Sequence, residues 1–314
     1  MKKISIITPC FNEELNVEVC YERLRQVMEE KLPNYSYEHI FADNASSDRT
    51  AAIVKNLASH DFRVKLIVNS RNVGPFRNMW NAMKSASGDA VIPLLPADLQ
   101  DPPEVIPEFV NLWEQGSLVV YGVRTKRQET WILKLFRNLY YRIIYRFADT
   151  IIPQNAGEFL LADRRVINSI LAVDDTYPYI RGLIAQTEVP SRSVPYVWVK
   201  RQRGKSRNGY LDLLDQAING FISTSRLPAR IALIFGFILS FIGISGALAT
   251  FVLTLINRQG IPPGIPTLIV AVFCFSGFQL FFLGVIGEYI LSIHSQVRRN
   301  PSMFEIERVN FNKE

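Results

Sequence analysis

Two long stretches without a charged residue, Ile231 to Ile256 and Ile261 to Gly287, constrain this 314-residue chain more than any other feature. A helix crosses a hydrocarbon core about 30 Å thick with about 20 apolar residues, and both stretches exceed that. They are expected to form two transmembrane helices joined by a short NRQGIPPGIP turn. Buried helices of a soluble core would show a charged, wet face, and neither stretch has one. Gly236, Ser240, Gly243 and Gly246 would let these helices approach each other closely, or pack against a second copy in a homo-oligomer.

The segment before Pro228 opens with MKKISIITPCFNEE, too short an apolar run for a signal peptide. Arg226, Arg230, Arg298 and Arg299 flank the two stretches, whereas the connecting turn holds only Arg258. That asymmetry predicts a multi-pass protein of the inner (plasma) membrane with the large N-terminal part and both termini in the cytoplasm. Cys10, Cys20 and Cys274 give neither metal-ligand spacing nor an even disulfide set, which suits a reducing compartment.

The expected organisation is a domain over 1–208, an amphipathic juxtamembrane helix over 209–228, the transmembrane pair over 229–294 and a cytoplasmic tail over 295–314. A second amphipathic helix is expected over Trp131 to Phe147, where aromatic and aliphatic residues are interleaved with Lys134, Arg137, Arg142 and Arg146. Such a helix suits the headgroup region, or packs on the core with its basic residues in water. The net charge of +6 with 48% hydrophobic residues excludes a disordered chain. Because the basic residues gather beside the apolar stretches without a recognition motif, no nucleic-acid role is expected.

Within the N-terminal part, short apolar runs alternate with helical patterns: Ile4–Thr8, His39–Ala42, Val64–Val68, Ala90–Leu95 and Leu118–Tyr121 as strands, with helices over Val17–Glu30, Thr50–Ser59, Phe76–Ser87 and Glu104–Gln115. This predicts an α/β fold with a doubly wound, mainly parallel sheet. Ligands of such sheets bind beyond the carboxyl ends of the strands. The residues there are Pro9-Cys10-Phe11-Asn12-Glu13, Asp43-Asn44-Ala45-Ser46-Ser47-Asp48, Arg71-Asn72-Val73-Gly74 and Pro96-Ala97-Asp98-Leu99-Gln100-Asp101. Neither GxGxxG after the first strand nor GxxxxGK[ST] is present, so a dinucleotide fingerprint and a P-loop are both unsupported.

Asp98 with the Gln100 amide offers hard oxygen ligands of the kind Mg²⁺ or Mn²⁺ accepts, although an Asp before Pro-Pro also serves as a cap. Asp43 is placed to accept from a base N–H or ribose hydroxyls, or to close an Asx turn. The run Arg201-Gln202-Arg203-Gly204-Lys205-Ser206-Arg207 suits a phosphate or an anionic lipid.

The segments PCFNE, FADNASSD, RNVG, PADLQDPPE, YGVR, GEFLLADRRV and RQRGKSR, followed by two apolar stretches and GVIGEY, resemble the family 2 glycosyltransferases that charge polyprenyl phosphates. The bactoprenol glucosyltransferases, the undecaprenyl-phosphate aminoarabinose transferases and, more distantly, dolichol-phosphate mannose synthase belong to that group. The resemblance covers nearly the whole chain. It implies a GT-A-type domain that transfers one hexose, with inversion, from a nucleotide sugar to undecaprenyl phosphate, UDP being preferred over GDP. Pro9, Glu13, Asp43, Asn72 and Arg124 match nucleotide-side positions. Asp98 and Gln100 match the metal-binding pair, and Arg201 and Arg207 the acceptor-phosphate positions. Glu158 matches a catalytic carboxylate that orients acceptor or sugar, or acts as a base.

Four departures accompany the resemblance. Pro96 stands where an Asp is usual, Asn44 where a second Asp is common, and Pro75 where a Lys often follows the glycine. Gly157-Glu158-Phe159-Leu160 replaces the usual Gly-Asp-Phe-Arg. A processive polysaccharide synthase is disfavoured by two apolar stretches and the lack of QxxRW. A catalytically reduced member that binds nucleotide sugars or acts as a scaffold is the alternative that Pro96 and Leu160 suggest.

Overall fold

The structure is a computed structural model, and it describes residues 1–125, 153, 156–173, 175, 178–199, 201, 203, 234–238, 241–242, 245, 252, 265–297 and 303–311, the last helix only in part of its side chains. The two segments expected to be amphipathic, Trp131–Phe147 and Gly209–Leu227, lie outside the described residues, as does most of Ile231–Ile256.

The alternation read from the sequence is realised as β1 (Lys3–Cys10), α1 (Val17–Lys31), β2 (Ser36–Asp43), α2 (Thr50–His60), β3 (Val64–Asn69), α3 (Pro75–Ser85), β4 (Ala90–Ile92), α4 (Ile106–Glu114) and β5 (Val119–Arg124). Beyond them come β6 (Ala156–Asp163), α5 (Arg164–Leu171), α6 (Ile180–Gln186), β7 (Ser191–Tyr196), α7 (Ile265–Val297) and β8 (Glu305–Val309). All eight strands join one sheet in the order β7-β5-β6-β4-β1-β2-β3-β8. β4, β1, β2 and β3 are parallel, and so are β5 and β7, while β6 runs antiparallel between β4 and β5. The sheet is therefore mixed, parallel in its nucleus and antiparallel where β6 and β8 are inserted.

Strand residues alternate between two helical layers, as a pleat of period two requires. Ile40, Ala42 and Ile67 pack with α3, α5 and α6 through Met79, Met83, Ile167 and Ile184. On the opposite face Ile4 and Ile6 meet Leu24 of α1 and Phe109 of α4, while Phe41 and Leu66 meet Val54 of α2. Burial on both faces explains why β1 to β3 read as continuous apolar runs.

At the amino end of the strands Glu38 is 1% exposed. It accepts from Lys3 Nζ at 2.8 Å, Lys65 Nζ at 2.7 Å, Ser5 Oγ at 2.6 Å and the Ser87 N–H at 2.6 Å. Burial alone would raise its pKa, but these donors outweigh burial and hold it at about 2, against 4.5 for a free glutamate. The folded-state value is depressed, so the stabilisation is complete above the unfolded value and is lost as pH falls through the folded one. Stability is thus expected to drop between about pH 4.5 and pH 2. Glu38→Gln should flatten that slope in acid titrations followed by tryptophan fluorescence; an unchanged slope would show that other carboxylates set it.

α7 has 33 residues, which at 1.5 Å per residue makes it about 50 Å long. Among the described residues no helix is long and apolar enough to cross a membrane, so two transmembrane helices are not supported there. The exposed faces that are described are nonetheless apolar, with Leu268, Val272, Leu280, Leu291 and Ile293 each more than half exposed. Within the segment read above as a tail, Glu305–Val309 joins the sheet: β8 pairs antiparallel with β3, with Leu66 opposite Val309 and Asn69 opposite Glu305. Asn310 caps this return by donating to the Ala58 and Val64 carbonyls at 2.6 and 2.9 Å.

Candidate active site

The carboxyl ends of β1, β2, β3, β5 and β7 form one rim. Because β6 is antiparallel to both its neighbours, its first residues Ala156–Glu158 reach the same rim, with Ala156 opposite Val123. β8 begins there too, beside Asn69. Three loops at the rim hold non-glycine residues at positive φ: Asn12 at 55°, Ala45 at 61° and Leu99 at 55°. Such backbone is costly unless its surroundings fix it, and it concentrates where loops must present side chains. Here the first two loops lock each other. Asn12 Oδ1 accepts from the Ser47 N–H at 2.7 Å, the Asn12 N–H donates to Ser46 Oγ at 2.8 Å, and the Glu13 N–H donates to Thr50 Oγ1 at 2.8 Å.

Pro9 lies in β1 opposite Ala42, one residue before this rim. Asp43 ends β2 and is 1% exposed. Its Oδ2 accepts from the Ser46 N–H at 3.0 Å, whereas Oδ1 is buried with no hydrogen-bond partner among the described residues. Burial raises its pKa against the opposing pull of Ser46. A buried acceptor left unsatisfied is uncommon in a folded chain and marks a place where a ligand donor would be gained. Asn72, in the exposed loop after β3, is tied to Asn44 at 2.7 Å.

Asp98 follows β4 at the centre of the rim. Its carboxylate accepts the Gln100 N–H at 3.3 Å and faces Arg201 Nη1 at 3.4 Å. Arg201 Nη2 meanwhile contacts both Glu13 oxygens, at 2.9 and 2.7 Å. The Gln100 amide is satisfied with its nitrogen toward Asp98 Oδ2 at 3.1 Å and its oxygen toward the Arg201 N–H at 3.3 Å. Burial is the main cause raising the Asp98 pKa, and Glu13 adds to it, while Arg201 opposes them. Two carboxylates thus converge on one cation. Among the described residues no three His, Cys, Asp or Glu side chains are grouped to hold a metal ion. Asp98 fits one only as part of a set completed by oxygens from elsewhere, and Gln100, whose amide nitrogen faces Asp98, would have to turn over to add its oxygen. The anionic Glu13–Asp98 pair is already arranged around positive charge. A cavity of about 350 Å³ opens beside Asp98, bordered by Asn16, Leu99, Glu104, Val199 and Arg203.

Arg124, matched above to a nucleotide-side position, donates from Nε and Nη2 to Asp101 at 3.1 and 2.9 Å. Tyr196 Oη donates to the same carboxylate, and the Arg124 guanidinium stacks over Trp198 at 5.3 Å. This buried group braces the Asp98–Asp101 turn against β5 and β7. Glu158 is 3.9 Å from Arg181 Nε of α6, a residue the sequence reading did not single out. Leu160, where the resemblance would place an Arg, is fully buried in the core, so Arg181 brings the guanidinium to Glu158 from another element. No sequence spacing links 158 to 181. Arg207 and Lys205 lie outside the described residues.

The chain belongs to glycosyl transferase family 2, whose pattern matches residues 5–171. It is a glycosyltransferase with a GT-A-like fold. The uncharacterized glycosyltransferase YkcC of Bacillus subtilis (strain 168) is 35% identical over 95% of this chain and 91% of its own length. The SfII prophage-derived bactoprenol glucosyl transferase of Shigella flexneri is 31% identical over 95% and 96%. Among solved structures, mannosyltransferase PcManGT of Pyrobaculum calidifontis, in complex with GDP-Man and Mn²⁺, is similar over 95% of this chain and 88% of its own, at 16% identity and a TM-score of 0.48.

Proposed function

We propose that this glycosyltransferase moves a single hexose, with inversion, from a nucleotide sugar to a polyprenyl phosphate, undecaprenyl phosphate being the favoured acceptor, at the cytoplasmic face of the inner membrane. The observation that carries this reading is where the chain leaves and re-enters the sheet. β7 ends at the rim and runs on toward the first apolar stretch, and β8 starts at the same rim after α7. The chain thus leaves and rejoins the sheet at the rim that holds the carboxylates, on either side of the apolar stretches in sequence, which supports an acceptor whose phosphate is carried by a lipid. The uncharged stretches Ile231–Ile256 and Ile261–Gly287 of the sequence support attachment to the bilayer. Similarity to a bactoprenol glucosyl transferase along nearly the whole chain points to the same class of acceptor.

In this reading Asp43 accepts the imide N–H of the base, and Pro9, Glu13 and Asn72 line the nucleotide. A phosphate monoester, with its second pKa near 6, is largely dianionic at neutral pH. Its oxygen attacks the anomeric carbon as the bond to the nucleoside diphosphate breaks, and no base is required. Glu158, held near Arg181, orients the acceptor or sugar. Mg²⁺ or Mn²⁺ held by Asp98 and Gln100 would supply positive charge to the departing diphosphate. Arg201 and Arg207 offset the repulsion between two phosphate-bearing substrates. To do so Arg201 would exchange contacts with Glu13 and Asp98 for phosphate oxygens.

Nucleotide titration tests the donor half. Uracil and guanine present a ring N–H to Asp43 Oδ1, whereas cytosine and adenine present a bare ring nitrogen. With Mn²⁺, UDP or GDP should bind at least about tenfold tighter than CDP or ADP, the worth of one mismatched buried hydrogen bond. Equal binding of all four would remove Asp43 from base recognition. Metal-independent binding without transfer would favour the scaffold reading that Pro96 and Leu160 suggest.

A further inference from the structure

We infer that Asn44 is a positioning residue that fixes the nucleoside loop, Asn72–Gly74, to the base-binding carboxylate Asp43. The inference rests on the nucleotide site proposed above. Asn44 is 4% exposed and joins the ends of three strands. Its N–H donates to the Cys10 carbonyl at the end of β1 at 2.9 Å. Its side-chain Nδ2 donates to Asn72 Oδ1 at 2.7 Å, and its Oδ1 accepts from the Val73 N–H at 2.9 Å. Asn72 Oδ1 also takes the Gly74 N–H at 2.9 Å, where the chain turns at φ 85° into α3.

This wiring needs a donor and an acceptor on two separate atoms of one short side chain, which an amide supplies and an ionised carboxylate does not. A carboxylate at position 44 would keep the Val73 bond but set oxygen against oxygen at Asn72. Rotating the Asn72 amide to meet it would turn Nδ2 toward the Gly74 N–H and lose that bond instead. One hydrogen bond is lost either way, so the Asp that is common here in the family resemblance is incompatible with this loop. With Oδ1 committed twice, the Asn72 side chain has only Nδ2 left to offer a ligand. Asp43, whose buried Oδ1 has no hydrogen-bond partner among the described residues, is the residue directly before Asn44. Asn44 therefore sets the spacing between a base acceptor and a nucleoside-side donor.

The test uses the full chain in detergent, with UDP and Mn²⁺ as the probe. Asn44→Ala and Asn44→Asp are expected to weaken UDP binding by about tenfold. Asn72→Ala should weaken it comparably, and Asn44→Ala/Asn72→Ala should be no weaker than Asn72→Ala alone, because one residue acts through the other. Without nucleotide, hydrogen exchange of the 70–76 segment should speed up in both Asn44 variants. UDP affinity unchanged by Asn44→Ala, strictly additive effects, or unaltered exchange in 70–76 would each overturn the inference while leaving the nucleotide site standing. A wild-type chain that binds no nucleotide would overturn the functional reading and this inference with it.

Discussion

Replacing Asp98 by alanine is expected to abolish sugar transfer, by about a thousandfold or more, while leaving the chain folded. The magnitude is that of removing a principal source of charge stabilisation from a reaction centre. Retained folding follows from how little the native structure asks of this carboxylate: bonds of 3.3 and 3.1 Å from the Gln100 N–H and side-chain amide and a 3.4 Å approach of Arg201, on a rim loop. Burial makes its charge costly, so the carboxylate is better suited to gaining a cation than to holding the fold. Initial rates of lipid-linked sugar formation, with a melting curve of the same preparation, check this. Activity within tenfold of wild type would mean that another residue serves the leaving group.

Asp101→Ala is expected to behave in the opposite way and to damage the fold first. Asp101 is 1% exposed and is the shared acceptor for Arg124 and Tyr196. Deleting it leaves the Arg124 guanidinium, only 19% exposed, without its counter-charge. Breaking such a pair from one side costs about 3 to 5 kcal/mol, which for a domain of this size lowers the melting temperature by about 10 °C. Transfer should fall as well, because the Asp98–Asp101 turn loses its brace. Asp101→Asn, which keeps an acceptor for Tyr196, should be less damaging. A melting temperature within about 2 °C of wild type for Asp101→Ala would show that solvent or a neighbour satisfies Arg124.

These two carboxylates stand three residues apart in one turn, and the sequence distinguishes them only in part. The parallel nucleus was legible because β1 to β3 are buried on both faces and are separated by well-patterned helices. β6 was not, since its pairing between β4 and β5 joins segments far apart in the chain. β7, Ser191–Tyr196, exposes three polar residues in succession, Ser191, Arg192 and Ser193, and contains a proline, so it carries little apolar signal. β8, EIERV, reads as a charged surface segment, and only its pairing with β3 makes it a strand. At the site, residue types after each strand could be read directly, because the fold class fixes that rim as the place for ligands. Partners could not: Arg124 is captured by Asp101, Glu158 gains Arg181 from α6, and Asn44 is wired to Asn72. Each depends on side chains brought together across elements, which no local spacing encodes.

The most direct measurement of the proposed reaction is mass spectrometry of the lipids formed when the purified full-length chain is incubated with undecaprenyl phosphate, Mg²⁺ or Mn²⁺, and a pooled panel of UDP- and GDP-sugars. The expected result is a new lipid heavier by one hexose unit, formed by the wild-type chain and absent with Asp98→Ala. No product from a folded chain, with an active relative converting the same lipid in parallel, would contradict transfer to a polyprenyl phosphate.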